Sequence, residues 1–261
     1  MILKSMGEAW NAVKNFPGEL LAAFAALKLV TGVAVAVGIT WLVWLVQPFF
    51  IAGAFVVAYR ALNNEATSQD QYIDACKERY IPTLFVTIAV NIVVGGFLTL
   101  GGSVLAAIAL ILVFPVTPGG DGKELSTVVL DIISNPVFIV VAVVVLLVTV
   151  VLMAILQFAI VAAVVDKRET ADALKKSYSL FSEHTASVVS YTVFKEGLVV
   201  LLVTIPLFAV PILLSANVVG LAALSEIPPR VLPILGSLVA IPAAMSINTF
   251  HVAYYERLKN R

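Results

Sequence analysis

The fold is decided by residues 137–165, which read VFIVVAVVVLLVTVVLMAILQFAIVAAVV. This run is nearly solid Val, Ile, Leu and Ala, and a run longer than about 18 apolar residues matches a bilayer span rather than a soluble core. Backbone polar groups in hydrocarbon must be satisfied internally, so a span is either a helix or part of a closed β-barrel. Barrel strands are about ten residues of strict alternation, which this run lacks. We therefore expect a transmembrane helix here.

Five further apolar stretches alternate with short polar segments, and the composition agrees with this pattern. The chain is 61% hydrophobic, whereas a soluble domain is roughly 45–50% apolar, and its mean hydropathy is +1.05. The predicted fold class is all-α: a polytopic transmembrane helical bundle in which residues 1–261 form a single integral membrane domain. The six predicted spans are residues 20–39, 41–60, 82–113, 137–165, 186–215 and 230–255.

Two of these spans have features that constrain their geometry. As one helix, residues 20–59 would be about 60 Å long, twice the hydrocarbon core of roughly 30 Å. We therefore expect two helices joined by a very tight outer turn near Gly38 and Thr40. The third span carries paired glycines at 95–96 and 101–102, which indicate either a kink or the close approach of a neighbouring helix.

Positive charge is distributed unevenly between the two sides of the predicted membrane. Only Lys123 and Arg230 fall in the outer loops, the larger of which, residues 115–136, is expected to carry a short surface helix. Because the Lys/Arg bias of short loops orients a membrane protein, we expect both termini to be cytoplasmic, in the plasma membrane. Twelve of the sixteen Lys and Arg fall in the inner segments: Lys4, Lys14, Arg60, Lys77, Arg79, Lys167, Arg168, Lys175, Lys176, Arg257, Lys259 and Arg261.

Each inner segment is predicted to contain a short amphipathic helix just before an odd-numbered span. Apolar residues spaced three or four apart mark one helical face. The three apolar stripes are Met6–Trp10–Val13–Phe16, Tyr72–Ile73–Cys76–Tyr80 and Leu174–Tyr178–Phe181. The pattern favours three degenerate units, each an interfacial helix followed by a helical hairpin. Such units would all be oriented alike, whereas many secondary transporters use inverted repeats.

Helix starts can be predicted for these three segments. Ser5 with Glu8, and Ser68 with Gln71, have the spacing of a capping box, in which each residue's side chain accepts a hydrogen bond from the other's backbone N–H. The third helix is predicted to begin at Thr170 without such a box.

Four polar residues inside the predicted spans form a candidate intramembrane site: Lys28, Asn91, Lys195 and Glu196. An ionised residue at the bilayer centre costs about 2.5–3.5 kcal/mol on insertion scales, so such residues are functional candidates. At similar depth they could line a cavity that opens to the inside. The competing interpretation is structural: the lysine stems extend to the headgroups, and Glu196 neutralises Lys195 or pairs with Lys28.

Three amides precede aromatic residues in the even-numbered spans: Gln47, Gln157 and Asn248. We expect them to hydrogen-bond between helices, which is the usual role of amides in membrane bundles, with substrate contact as the alternative. His251 could titrate near neutral pH, but beside Tyr254 and Tyr255 at the end of a span it is expected to be an interface residue.

No motif proposes catalytic chemistry, a cofactor or a metal. The chain has two histidines and one cysteine without metal-ligand spacing, and it lacks a phosphate-binding loop. Asp166, Glu169 and Asp172 alternate with basic residues, which is typical of a solvated, ion-paired face. The balance of sixteen basic and sixteen acidic residues argues against nucleic acid as a partner. We expect the protein not to be an enzyme.

Four stretches resemble a known family: residues 47–55 (QPFFIAGAF), 71–80 (QYIDACKERY), 157–180 and 250–255 (FHVAYY). Together they are similar to an uncharacterised archaeal family of six-span membrane proteins, best known from haloarchaea. The family is more distantly similar to the membrane domain of some glycerophosphodiester phosphodiesterases. The resemblance implies a six-span fold and no catalytic residues. Balanced charge departs from the acidic loops usual in haloarchaea and points to a less salt-adapted archaeal, or a bacterial, host.

The leading functional hypothesis is a non-catalytic membrane scaffold or accessory subunit. Its inner amphipathic helices would bind membrane lipids, a protein partner or a second copy of the chain. The alternative is a small-solute or ion transporter or channel that uses the polar residues of spans one, three and five.

Overall fold

The computed structural model describes residues 1–113, 132, 134–204 and 232–261 of the chain, and these ranges contain helices and no strand. Most of the helices are long, and the connections between them within these ranges are short. The helices are α1 (Ile2–Asn15), α2 (Pro17–Val37), α3 (Thr40–Leu62), α4 (Gln69–Val113), α5 (Pro136–Leu156), α6 (Ala159–Val164), α7 (Thr170–Glu183), α8 (Thr185–Val199) with a π-helical segment (Val200–Thr204), and α9 (Leu232–Lys259).

Within the described residues, six helical stretches are long and apolar enough to cross a membrane, so the all-α class with six candidate spans is confirmed. They are Pro17–Val37, Trp41–Leu62, Gln69–Ile111, Pro136–Val164, Thr185–Leu202 and Gly236–Lys259. The predicted spans at 186–215 and 230–255 are only partly described, because residues 205–231 lie outside the described ranges. The predicted surface helix within 115–136 also falls outside them.

The tight turn predicted near Gly38 is confirmed. α2 ends at Val37, Gly38 adopts a left-handed conformation with φ +81°, and α3 begins at Thr40. Glycine tolerates positive φ because it has no Cβ. A left-handed residue after a helix lets backbone N–H groups donate hydrogen bonds to the last carbonyls of that helix. One glycine thus divides a forty-residue apolar run into two helices of membrane length.

The start of α4 confirms one capping box and corrects a span boundary. The Ser68 N–H donates to Gln71 Oε1 over 3.0 Å, and the Gln71 N–H donates to Ser68 Oγ over 3.3 Å. However, α4 then runs without a break from Gln69 through Pro82 to Val113. The prediction of a separate amphipathic helix before a span at 82–113 is therefore wrong. A proline removes one hydrogen bond of the helix, and here the helix continues through it.

The first and third amphipathic helices are separate elements. α7 begins at Thr170, as predicted, and has no side-chain cap. α1 begins at Ile2, so the capping box expected at Ser5 is wrong. Ser5 lies inside the helix and is buried, and the carboxylate of Glu8 pairs with Arg257 of α9 instead.

The chain contains two compact units. The first comprises residues 1–88 and 156–261, in which α2 packs against α3 and α9, α1 packs against α9, and α6 packs against α7. Its core is rich in rings: Phe24, Phe158, Tyr191, Tyr254 and Tyr255 are all fully buried.

The second unit, residues 89–155, contains the later part of α4 and most of α5. A Cβ at Gly101 would lie 2.7 Å from Val145 Cγ1, so this glycine allows the close helix approach predicted from its pair. Large apolar side chains such as Leu100, Leu146 and Leu147 are exposed, as expected of helices that face lipid.

We expect Gly53→Ala to lower the thermal stability of the first unit. A Cβ at Gly53 of α3 would lie 2.5 Å from Cys76 Sγ and closer still to the ring of Tyr72, both in α4. Overpacking of this kind costs about 1–3 kcal/mol, and the melting temperature in detergent measures it. The matched control is Gly7→Ala, where nothing lies within 4 Å; equal melting temperatures for the two variants would contradict the close contact.

Candidate functional site

Of the four residues predicted to form an intramembrane polar site, the structure joins two. Lys195 Nζ lies 3.1 Å from Glu196 Oε1 on α8, and the two side chains are 17% and 34% exposed. This pair forms although neighbours in sequence start on different sides of a helix. Four residues later α8 continues as the π-helical segment Val200–Thr204, a geometry that is found frequently at functional sites.

Lys28 does not join that pair. Lys28 is half-buried on α2, and it makes no ion pair or side-chain hydrogen bond within the described part of the chain. Asn91 lies on α4 in the second compact unit. A ring of four polar groups at one level therefore stays a prediction.

The three candidate amides differ in what they contact. The Gln157 side chain donates from Nε2 to Thr192 Oγ1 of α8 over 2.5 Å, which is a bond between helices. Asn248 instead donates to the Ala244 carbonyl of its own helix over 2.7 Å. Gln47 is half-buried on α3, and it makes no side-chain hydrogen bond to any described residue.

His251 is the centre of a buried polar network inside the first unit, and its expected depth at the membrane interface stays a prediction. Its Nε2 lies 2.9 Å from the carbonyl oxygen of Gln157, and its Nδ1 lies 2.7 Å from the hydroxyl of Tyr191. A carbonyl oxygen can only accept, so Nε2 carries a proton, and the neutral ring then accepts from the tyrosine at Nδ1. The His251 ring also stacks on Phe158, with centroids 5.1 Å apart and planes 12° apart.

This network explains how the chain tolerates a helix break inside a predicted span. α5 ends at Leu156 and α6 begins at Ala159, so Gln157 and Phe158 interrupt the helix. A backbone carbonyl freed in hydrocarbon must find another donor. His251 of α9 supplies that donor to Gln157, which lies 94 positions away in sequence. Sequence reasoning noted both residues but contained no signal that paired them.

Asp166 forms a second polar cluster just after α6. It accepts hydrogen bonds of 2.6 Å from the Tyr255 hydroxyl and from Lys259 Nζ, and Arg168 Nε lies 3.6 Å away. The Asp166 side chain is only 6% exposed, so the prediction of a solvated face is wrong for this residue. Burial disfavours ionisation, but the bonds from Lys259 and Tyr255 and the nearby positive charges outweigh it and lower the pKa of Asp166.

The lowered pKa predicts a loss of stability in acid. A carboxyl whose folded pKa is below its unfolded value of about 3.9 stabilises the fold above that value and loses this effect as the pH falls through the folded pKa. We therefore expect wild type to be more stable than Asp166→Asn at pH 6, with the difference shrinking below about pH 4. Melting temperatures across pH measure this, and a difference that is independent of pH would contradict it.

α1 packs against the bundle through small residues. Ser5, Ala9 and Ala12 are buried against the rest of the first unit, whereas Trp10 is 56% exposed. Met6 and Val13, on the same stripe as Trp10, are half-buried. Trp10 is thus the most exposed residue of the amphipathic stripe, which lines a groove with Leu198 of α8 and Phe250 of α9. Lys14 Nζ lies 5.3 Å from the centre of the Trp10 ring.

The geometry defines a polytopic α-helical membrane protein with buried polar contacts between its helices. Among the described residues, no group of three or more His, Cys, Asp or Glu side chains could hold a metal ion. The model of a family described as a domain of unknown function (DUF7847) matches residues 8–258, and the chain belongs to that family. No curated protein and no solved structure shows significant similarity to it.

Proposed function

We propose that the protein is a non-catalytic scaffold or accessory subunit of the plasma membrane, whose inner surface helices bind lipid and recruit a protein partner or a second copy of the chain. The observation that carries the proposal is the orientation of α1. Its small residues face the bundle, and its exposed large apolar side chains are Leu3 and Trp10. A helix with this arrangement can lie in the membrane interface while it remains attached to the spans.

α7 repeats the same arrangement. Its buried residues are Ala173, Ser177 and Leu180, with the same spacing of four and three as Ser5, Ala9 and Ala12 of α1. The next residue along in each case belongs to the predicted apolar stripe, and Tyr178 is exposed in α7 as Trp10 is in α1. Two surface helices with matching faces support an interfacial role better than a single helix would.

The distribution of charge supports the cytoplasmic side for both helices. Twelve of the sixteen Lys and Arg lie in the segments that would face that side, including those of α1 and α7. A protease-cleavable tag after Arg261 should accordingly be cut only in opened cells or inside-out vesicles. Cys76 is buried, so thiol labelling of this residue would be a poor probe of the same question.

The depth of Trp10 tests the proposal directly. With Trp41 and Trp44 replaced by Phe, Trp10 is the remaining tryptophan. Its fluorescence should be quenched by lipids brominated near the top of the acyl chain more than by bromines at the chain end. A second variant that keeps only Trp41, which is exposed at the start of α3, is the control for quenching in general. Trp10 fluorescence that only an aqueous quencher reduces would count against the proposal.

Copurification tests the scaffold part. Protein extracted gently from native membranes should carry lipid or a partner, and replacing Met6 and Trp10 with Ser should reduce what is recovered. Recovery of the wild-type protein alone, without lipid by mass spectrometry, would contradict a scaffold role.

A transporter or channel is the second candidate, and the Lys195–Glu196 ion pair followed by a π-helical segment is the observation that favours it. Replacing both residues with Leu should abolish flux in proteoliposomes if the pair lines a pathway. A scaffold would keep its copurifying partners and its stability.

Archaeal origin and a distant relationship to the phosphodiesterase membrane domain stay predictions beside the family membership.

A further inference from the structure

A polar cavity of about 500 Å³ lies where α1, the end of α3 and the last turn of α9 meet. All three elements belong to the first compact unit. Its polar lining includes Lys4, Glu8, Asn63, Arg257, Asn260 and Arg261. Cavities of this size hold small ligands, and neither the His251 network nor the Asp166 cluster lines this one.

The acidic groups that line the cavity already have cationic partners. Glu8 accepts hydrogen bonds from both Nε and a terminal nitrogen of Arg257. The Glu256 carboxylate lies 3.6 Å from Lys259 Nζ. Each of these two carboxylates thus has a neighbouring cation, and Glu256 shares Lys259 with Asp166.

Two cationic side chains at the cavity have no such partner. Lys4 and Arg261 line it, and neither side chain makes an ion pair or a hydrogen bond with any residue in the described ranges. The side-chain amide of Asn260, which also lines the cavity, is likewise not engaged there. An ammonium, a guanidinium and an amide around one cavity form a donor set that suits a phosphate group.

The position of the cavity indicates that the phosphate belongs to a lipid headgroup. The candidate spans that border it end at Leu62 and Lys259, so the cavity opens where the hydrocarbon gives way to the headgroups. Lys and Arg near a membrane surface attract anionic lipids. We propose that the cavity binds the phosphate of an anionic phospholipid of the same leaflet, with Lys4, Asn260 and Arg261 as its ligands. This inference rests on the membrane role proposed above and adds a site and a ligand class to it.

Native mass spectrometry of the full chain tests the site, with phosphatidylglycerol as the probe. Phosphatidylcholine is the comparison, because its ammonium balances its phosphate and leaves the headgroup without net charge. Wild type should retain one phosphatidylglycerol in preference to phosphatidylcholine. The variant Lys4→Gln/Arg261→Gln should bind phosphatidylglycerol about 30-fold more weakly, because each cation at a membrane surface contributes roughly fivefold. Lys4→Arg keeps the charge and should stay within about threefold of wild type.

Lys77→Gln/Lys176→Gln is the matched control, since it removes two inner cations that do not line the cavity. It should bind phosphatidylglycerol like wild type. An equal loss in both double variants would overturn the proposal, because the effect would then reflect surface charge in general. Equal retention of phosphatidylcholine and phosphatidylglycerol by wild type would also overturn it.

Inorganic phosphate as a probe distinguishes a lipid headgroup from free phosphate as the ligand of the cavity. Inorganic phosphate should not bind in place of the lipid at millimolar concentration, and tight binding of inorganic phosphate without retention of phosphatidylglycerol would overturn the lipid assignment. Should Lys4→Gln/Arg261→Gln fold poorly, the single variant Lys4→Gln replaces it, with an expected loss of about fivefold. If the cavity retains phosphatidylglycerol but Trp10 is exposed to water, the lipid site is supported and the interfacial role of α1 is rejected.

Discussion

His251→Ala is expected to lower the free energy of unfolding by about 3–5 kcal/mol, the range seen when a buried ring is truncated to alanine. The side chain is buried against the stacked rings of Phe158 and Tyr191. Its removal leaves a cavity and deprives the Gln157 carbonyl and the Tyr191 hydroxyl of their partners. Titration with a denaturing detergent, followed by circular dichroism, measures the loss.

His251→Phe separates packing from hydrogen bonding. It keeps an aromatic ring but cannot donate to Gln157, so we expect an intermediate loss of about 2 kcal/mol, in line with one or two membrane hydrogen bonds. His184→Phe is the control, because the other histidine is only half-buried, and it should change stability by less than about 0.5 kcal/mol. If His251→Phe is as stable as wild type, the two hydrogen bonds do not support the helix break.

Asp166→Ala is expected to lower the free energy of unfolding by about 3 kcal/mol, because removing one partner of a buried charged contact leaves the others unsatisfied. The carboxylate holds Tyr255 and Lys259, two residues of the last turns of α9, against the segment that follows α6. The same detergent titration measures the effect. Tyr255→Phe removes one of the two bonds and should show a smaller loss.

An exposed carboxylate on the neighbouring helix is the control for Asp166→Ala. Asp172 pairs with Lys175 at 3.7 Å, and both side chains are well exposed. Exposed ion pairs are worth roughly 0–1 kcal/mol, so Asp172→Ala should be close to neutral. Similar losses from Asp166→Ala and Asp172→Ala would mean that the burial of Asp166 has no energetic role.

The sequence predicted what depends on local chemistry. Hydropathy located the spans because a bilayer requires a fixed length of apolar helix, and Gly38 indicated the turn because its backbone freedom is a property of that one residue. The Ser68–Gln71 capping box is equally local. Pro82 shows the limit of such rules, since it marks a helix boundary in the sequence but lies inside α4.

The contacts of His251 and Asp166 could not be predicted, because each joins residues about 90 positions apart. The packing face of α1 was missed for a different reason. In a soluble protein an apolar stripe marks the side that packs, whereas lipid is as apolar as a protein core and helices then pack through small residues. Ser5, Ala9 and Ala12 therefore face the bundle, and the larger stripe beside them is only partly buried.

The last turns of α9 hold two distant parts of the chain: Arg257 binds Glu8, and Tyr255 and Lys259 bind Asp166. Glu8 is translated 249 residues before its partner. Until those residues have been made, α1 lacks the contact that attaches it to α9. Contacts of such long sequence separation form slowly, so during biosynthesis α2 and α3 are made before α1 can form its ion pair with α9.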